Sequence, residues 1–140
     1  MNVDFVYNTD FKLNNEIETT QWINAFCKSE GFSIDSLVFA FFNDKELKDL
    51  NVKFLNHDYF TDVISFDESY DGFVKGNIAI SIDRVKENAS EFSCSFDDEL
   101  RRVIIHGVLH FMGFNDKTDD EKKKIKEKEN FAIKMFHVKR

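Results

Sequence analysis

HGVLHFMGFND, residues 106–116, is the stretch around which the rest of this chain is organised. His106 and His110 are four residues apart in an apolar run, so a helix would project both imidazoles from one face. Gly113 can adopt the left-handed backbone conformation that ends a helix and turns the chain back. Asp116 can then return a carboxylate toward the two rings. The spacing therefore predicts a metal site with ligands His106, His110 and Asp116, and three protein ligands with an open fourth position are typical of catalytic zinc.

The helix that carries the histidines is predicted to be largely buried. Its apolar residues cover more than half of the helix circumference, and His106 and His110 fall in the remaining gap. We therefore expect the two imidazoles to line a cleft. The alternative is that both are core histidines bonded to backbone carbonyls. Gly113 and Asp116 behind the pair favour the metal site over this alternative.

The composition limits the classes of protein to which the chain can belong. Its 140 residues are enough for one domain with a substantial core, to which 17 phenylalanines would contribute much of the apolar area. The net charge of −7 disfavours nucleic-acid binding over the whole surface, so RNA would have to bind at a local basic patch. The sequence has neither a signal peptide nor an apolar run of transmembrane length, and Cys27 and Cys94 have no metal-type spacing. We expect a cytoplasmic protein, and free thiols are favoured over the alternative of one disulfide between the two cysteines.

The order of the remaining elements indicates a single α/β or α+β domain over residues 1–140. We expect a mixed sheet of about four strands, about five helices and a zincin-like metal cradle. Ser95 is expected to start the histidine helix. Hydrophobic periodicity predicts strands near residues 3–7, 36–42, 61–66 and 77–82. It also predicts further helices near residues 15–29, 45–54, 83–92 and 119–136.

Several side chains in these elements have predicted roles. Asp44 and Asp83 are expected to cap the helices that follow them. Ile17, Phe92 and Phe131 are expected to contribute to the core from three different helices. The charged run at residues 122–128 is most simply a solvated helix face.

The stretch at residues 106–116 resembles the signature H-G-x-L-H-L-x-G-Y-D-H of the YbeY-type bacterial rRNA endoribonucleases. A second block of that family, L-N-x-x-Y-R-x-x-D-x-P-T-D-V-L-S-F, resembles LNVKFLNHDYFTDVISF at residues 50–66. The family segment G-D-I-x-I is similar to GNIAI at residues 76–80. Order and spacing agree from about residue 50 to residue 129.

The resemblance assigns candidate residues one by one. His106 and His110 match two zinc-ligating histidines of the family, and Asp116 falls at the third position, where the family usually has histidine. A carboxylate also ligates zinc, so the resemblance implies one Zn²⁺ per chain. The family arginine thought to act on the scissile phosphate falls at Leu55, which cannot hold an anion. Asp62, like Asp58, matches a family residue and is expected to orient the loop or the metal ligands.

The resemblance implies a metal-dependent, single-strand-specific endoribonuclease. It would act in maturation of the 3′ end of small-subunit (16S) rRNA and in ribosome quality control, with rRNA and the small ribosomal subunit as partners and neither DNA nor a membrane. Its catalytic residues are not assigned; water activated by the metal is the favoured base, ahead of Glu99. The candidate cations for holding RNA are Lys53, Lys75, Arg84 and Arg101.

Two other functions are compatible with the same site. One is a non-enzymatic ribosome-maturation factor stabilised by zinc, which the net charge of −7 and Leu55 keep open. The other is a metallopeptidase-like hydrolase, since the spacing is shared with the metzincin pattern H-E-x-x-H-x-x-G-x-x-H. Gly107 argues against a peptidase, because the proteases carry their general-base glutamate at that position.

Overall fold

The computed structural model describes residues 2–138, which form five helices and one four-stranded sheet. In chain order the elements are β1 (Val3–Tyr7), α1 (Glu16–Ser29), β2 (Ser33–Phe42), α2 (Asp44–Leu55), β3 (Val63–Asp67), β4 (Phe73–Ser81), α3 (Ile82–Glu91), α4 (Phe96–Phe111) and α5 (Asp119–Val138). The predicted number and order of the elements are confirmed.

The sheet is mixed, as predicted, with strand order β1-β2-β4-β3. β2 is parallel to both β1 and β4, whereas β3 is antiparallel to β4. Because parallel neighbours need a crossover connection, α1 joins β1 to β2. Side chains alternate between the two faces of a strand. Ile78 and Ile80 therefore join the large core cluster with α1, α4 and α5, while Ala79 packs with Leu47 of α2 on the other face.

Helix α4 begins and ends where the sequence predicts. The Ser95 side chain accepts a hydrogen bond from the Asp98 backbone N–H at 3.1 Å, so it caps the helix. At the other end, Gly113 has φ +97°. The Gly113 N–H donates to the carbonyl of His110, and the Phe114 N–H donates to the carbonyl of Leu109. This pair of bonds is a Schellman motif, which satisfies the last carbonyls and reverses the chain.

Gly107 lets α4 lie unusually close to the sheet. It is buried on the face of the helix that contacts β4, and a Cβ atom at this position would lie 2.9 Å from Cδ1 of Ile78. Ile78 is itself fully buried, so its side chain has little room to move away. The position that the metzincin proteases use for a glutamate therefore faces the core in this fold.

Two predicted caps are wrong by one or two residues. The side chain of Asn43, not Asp44, accepts the Glu46 N–H at the start of α2, and Ser81 rather than Asp83 caps α3. Asp44 and Asp83 lie instead in the first helical turns, where a carboxylate interacts favourably with the helix dipole.

Three side chains predicted to be in the core are exposed. Ile17 is 74 % exposed because the buried stripe of α1 includes Ile23, which lies roughly 120° away around the helix. Phe131 lies beside the buried stripe of α5, one residue before the buried Ala132. Phe92 lies beyond the last turn of α3 and is 62 % exposed. Helical periodicity therefore gave the wrong face at Ile17 and Phe131, and did not apply at Phe92.

Both cysteines are free thiols, as predicted; Cys27 is buried and Cys94 is exposed. Burial raises the pKa of the Cys27 thiol to about 12, with a smaller contribution from Glu30. Within residues 2–138, none of the helices combines the length and apolar character that a membrane span requires.

The contact between α4 and β4 gives a test of the fold. Gly107→Glu should lower the free energy of unfolding by about 3–5 kcal/mol, because it places an unpaired charge against Ile78. Gly107→Ala should cost much less, because an overpacking cost of about 1–3 kcal/mol is opposed by a gain in helix propensity of roughly 1 kcal/mol. Denaturant unfolding with a chelator present measures both variants. If Gly107→Glu is as stable as the wild type, the helix does not lie this close to the sheet.

Candidate metal centre

The three predicted ligands converge at one point. His106 and His110 project from α4, and Asp116 returns from the turn that Gly113 makes possible. The two Nε2 atoms lie 3.0 Å apart, and Asp116 Oδ2 is 3.5 Å from each of them. Ligand atoms at zinc distances in a tetrahedral site lie roughly 3.3–3.6 Å from one another. The three atoms therefore have close to the spacing that such an ion requires.

The other nitrogen of each imidazole has a hydrogen-bond partner. His106 Nδ1 lies 2.8 Å from Glu129 Oε2, and His110 Nδ1 lies 2.9 Å from the carbonyl oxygen of Phe114. Both partners accept hydrogen bonds, so the Nδ1–H groups donate to them and the Nε2 lone pairs face Asp116. Three acceptor atoms then face one another at short range, which is the environment that a bound cation stabilises.

Glu129 is a part of the site that the sequence did not predict. It is a buried carboxylate on α5, and besides His106 it contacts Arg102, whose Nη1 donates to Glu129 Oε1 at 3.2 Å. A signal was present in the sequence: Glu129 lies on the same helical stripe as the buried residues Ile125 and Ala132. A glutamate on a buried stripe requires a partner, because an unpaired buried charge is costly.

The electrostatics of the site favour positive charge. Burial alone would lower the pKa of His106, but the hydrogen bond and the charge of Glu129, together with Asp116 and Asp62, raise it above its ordinary value. The pKa of Asp62 is raised, mainly by burial. Three carboxylates, those of Glu129, Asp116 and Asp62, thus act on His106, and the residues present fit a divalent cation.

His106 and Asp116 line a cleft of about 640 Å³, as predicted for His106. His110 was also predicted to line a cleft but is not among its lining residues. The cleft has an apolar part and a charged part, and its charged lining residues other than the metal ligands are Asp62, Glu99, Arg102, Lys122, Lys126 and Glu129. Glu99 is buried and lies 3.7 Å from Arg102, so its carboxylate is held in an ion pair. Asp62 is at the cleft, whereas Asp58 is exposed and lies 3.5 Å from Lys48.

The four cations suggested by the sequence are not among the residues that line this cleft. Arg84 Nη2 forms an ion pair with Asp44 Oδ2 at 3.1 Å, and Arg101 Nη1 forms one with Asp98 Oδ1 at 2.8 Å. Lys53 lies over the ring of Phe54, and Lys75 is in β4. Leu55, at the position of the family arginine, is likewise not a lining residue. Within residues 2–138, the cations at the cleft are Arg102, Lys122 and Lys126.

Comparison with known proteins agrees with this architecture. The family model described as Endoribonuclease YbeY matches residues 6–137. A Flavobacterium johnsoniae protein named Endoribonuclease YbeY is 41% identical over 136 residues, which cover 97% of this chain and 98% of the relative. The Christiangramia forsetii protein of the same name is 43% identical over 136 residues, covering 97% of this chain and 95% of the relative.

A solved structure is similar over almost the whole chain. The solution structure of a Thermotoga maritima protein matches with a TM-score of 0.74 and 26% sequence identity, and the match covers 98% of this chain and 90% of that one. The family match and the curated relatives extend over the sheet, the histidine helix and the turn to Asp116 alike. The chain therefore belongs to the YbeY endoribonuclease family.

Proposed function

We propose that this protein is a zinc-dependent endoribonuclease that cleaves single-stranded RNA. Its substrate is the precursor of 16S rRNA, whose 3′ end it matures in the cytoplasm on the small ribosomal subunit, and it also acts in ribosome quality control. The observation that carries the proposal is the convergence of His106, His110 and Asp116 at a cleft that His106 and Asp116 line. The name shared by the curated relatives supports the RNA-cleaving activity.

Some residues of the centre would bind the metal, and others orient the residues that bind it. His106 Nε2, His110 Nε2 and Asp116 Oδ2 would hold one zinc ion per chain. When bound, zinc would supply electrophilic activation of the phosphodiester and lower the pKa of a bound water toward about 7. Glu129 and the Phe114 carbonyl hold the two imidazoles in the tautomer that ligates metal. The general base is not assigned to a residue, since Glu99 is engaged with Arg102.

The competing functions make different demands on the same residues. A peptidase of the metzincin type needs a glutamate after the first histidine, and here that position is Gly107, packed against Ile78. A non-enzymatic ribosome-maturation factor would need the zinc for folding alone. That function predicts a metal-replete protein that is inert on RNA, so a cleavage assay separates it from the proposed nuclease.

The ligand set predicts the metal content. Protein purified without chelator and without added metal should contain about one zinc per chain by elemental analysis. Asp116→Ala should reduce this content markedly, whereas Asp116→His should retain it, because either side chain ligates zinc. His137→Ala is the matched control, since His137 bonds Asp98 rather than the centre. Equal zinc content in Asp116→Ala and wild type would mean that the third ligand lies elsewhere.

The Glu129 contact predicts a graded loss of metal affinity. Glu129→Gln keeps the shape of the side chain but removes the charge that orients and polarises His106. Competition with a chromophoric chelator should show about 10- to 100-fold weaker zinc binding. Glu127→Gln, an exposed change on the same helix, should bind zinc as the wild type does. Unchanged affinity in Glu129→Gln would remove Glu129 from the centre.

The activity itself is tested by cleavage of labelled RNA. The wild type should cut single-stranded RNA slowly and spare duplex RNA and peptides, because a rigid duplex cannot bend into the cleft. Chelator should abolish cutting, and so should His110→Ala, while His137→Ala purified in parallel keeps the activity. If His110→Ala cuts as fast as the wild type, the activity comes from a contaminant. A zinc-loaded wild type that cuts no RNA would instead favour the maturation factor.

A further inference from the structure

The charged run of α5 is largely exposed, as predicted, but two of its lysines line the cleft. Lys122 and Lys126 are four residues apart, so they lie on the same face of the helix, and both line the cleft that contains His106 and Asp116. Lys123 lies on α5 as well but is not a lining residue. The structure therefore divides the run into lysines that line the cleft and lysines that do not.

These two lysines differ from the other basic residue of the cleft in their surroundings. Arg102 is held by the carboxylates of Glu99 and Glu129 at 3.7 and 3.2 Å. In the part of the chain that the structure describes, neither Lys122 nor Lys126 lies within ion-pair distance of a carboxylate. Their ammonium groups are therefore available to an anion that enters the cleft.

The two lysines also decide the sign of the charge that an incoming anion meets. Among the described residues, the lining has the carboxylates of Asp116 and three other acids, against Arg102 and the two lysines. With neutral histidines and a divalent ion bound, this lining is net positive. Without Lys122 and Lys126 it would remain net negative even with the ion. A cleft that attracts a polyanion within an acidic protein thus depends on these two residues.

Phe92 contributes an exposed aromatic ring to the same cleft. It follows the last turn of α3 and is 62 % exposed, although it lines the cleft with His106. Helix α4 packs against both α3 and α5. The Phe92 ring therefore reaches the cleft from the end of α3, and the two lysines reach it from α5. Exposed aromatic rings beside cationic side chains are the usual platform for single-stranded nucleic acid, because every base has a face that can stack.

We propose that Phe92, Lys122 and Lys126 form the subsite that holds single-stranded RNA beside the metal centre. The lysines contact phosphates on one side of the scissile bond, and the Phe92 ring stacks on one base. This inference rests on the proposed nuclease function and extends it. The cationic contact that the family arginine would make from the position of Leu55 is made here from α5, since Leu55 is not at the cleft.

The test is the salt dependence of RNA binding. A fluorescein-labelled single-stranded RNA is titrated with zinc-loaded protein at several KCl concentrations, anisotropy reports binding, and a gel checks that the probe stays intact. The plot of log K against log salt has a negative slope. Lys122→Ala/Lys126→Ala should make this slope less steep by about 1.4, the value for two phosphate contacts on a single strand. Phe92→Ala should weaken binding by at least about 5-fold with the slope unchanged.

Matched controls come from the same helix. Lys123→Ala/Lys134→Ala removes two exposed lysines, and Phe131→Ala removes an exposed aromatic ring, all of them outside the cleft lining. Both should bind as the wild type does, and Lys122→Arg/Lys126→Arg should keep the wild-type slope. Zinc content and circular dichroism should be the same for every variant.

Two results would overturn the inference in distinguishable ways. If the wild type binds and cleaves RNA and the cleft variants match their controls in slope and affinity, the subsite is wrong while the nuclease function stands. If zinc-loaded wild type neither binds nor cleaves the probe, the proposed function fails and the subsite fails with it.

Discussion

The close contact between Gly107 and Ile78 is the constraint on which the candidate metal centre depends. Because position 107 has no side chain, α4 packs closely against β4. This packing fixes the rotation of the helix and therefore the direction in which each of its side chains points. His106 and His110 then lie at the border of the buried face, where both are half-buried, whereas the residue that follows His106 faces the sheet. A glutamate cannot occupy that position without separating helix and sheet. The metzincin peptidases have the same histidine spacing and use a glutamate at this position as the general base. In this fold, any reaction at the two histidines must proceed without that glutamate.

The end of α4 makes a second contribution to the geometry. The Schellman turn at Gly113 reverses the chain within three residues, so Asp116 reaches the imidazoles from outside the helix. The same turn aims the carbonyl of Phe114 at His110 Nδ1. One short segment therefore supplies both a ligand and the hydrogen bond that orients another ligand.

The sequence predicted what is encoded locally and missed what depends on packing. His106, His110 and Asp116 lie within eleven residues, and helix geometry with one glycine turn is enough to bring them together. Glu129 comes from a helix whose position against α4 is set by the core, so the sequence could indicate that it needs a partner but not that the partner is His106. The lysines of α5 are largely exposed, as predicted, but the cleft that Lys122 and Lys126 line depends on the same packing. Strand number, sheet type and element order were predictable from periodicity, but the exposed faces of α1 and α5 were not.

The position of Glu129 has a consequence for how the centre comes into being. Chains are synthesised from the N-terminus, and α4 leaves the ribosome before α5. At that stage both imidazoles exist, but the carboxylate that orients His106 does not. The missing group arrives only when α5 docks, a step secured by the hydrogen bond from Trp22 Nε1 to the Ala132 carbonyl at 2.7 Å. The fully oriented centre is therefore a product of finished folding, because in a nascent or misassembled chain the His106 imidazole lacks the carboxylate that orients it.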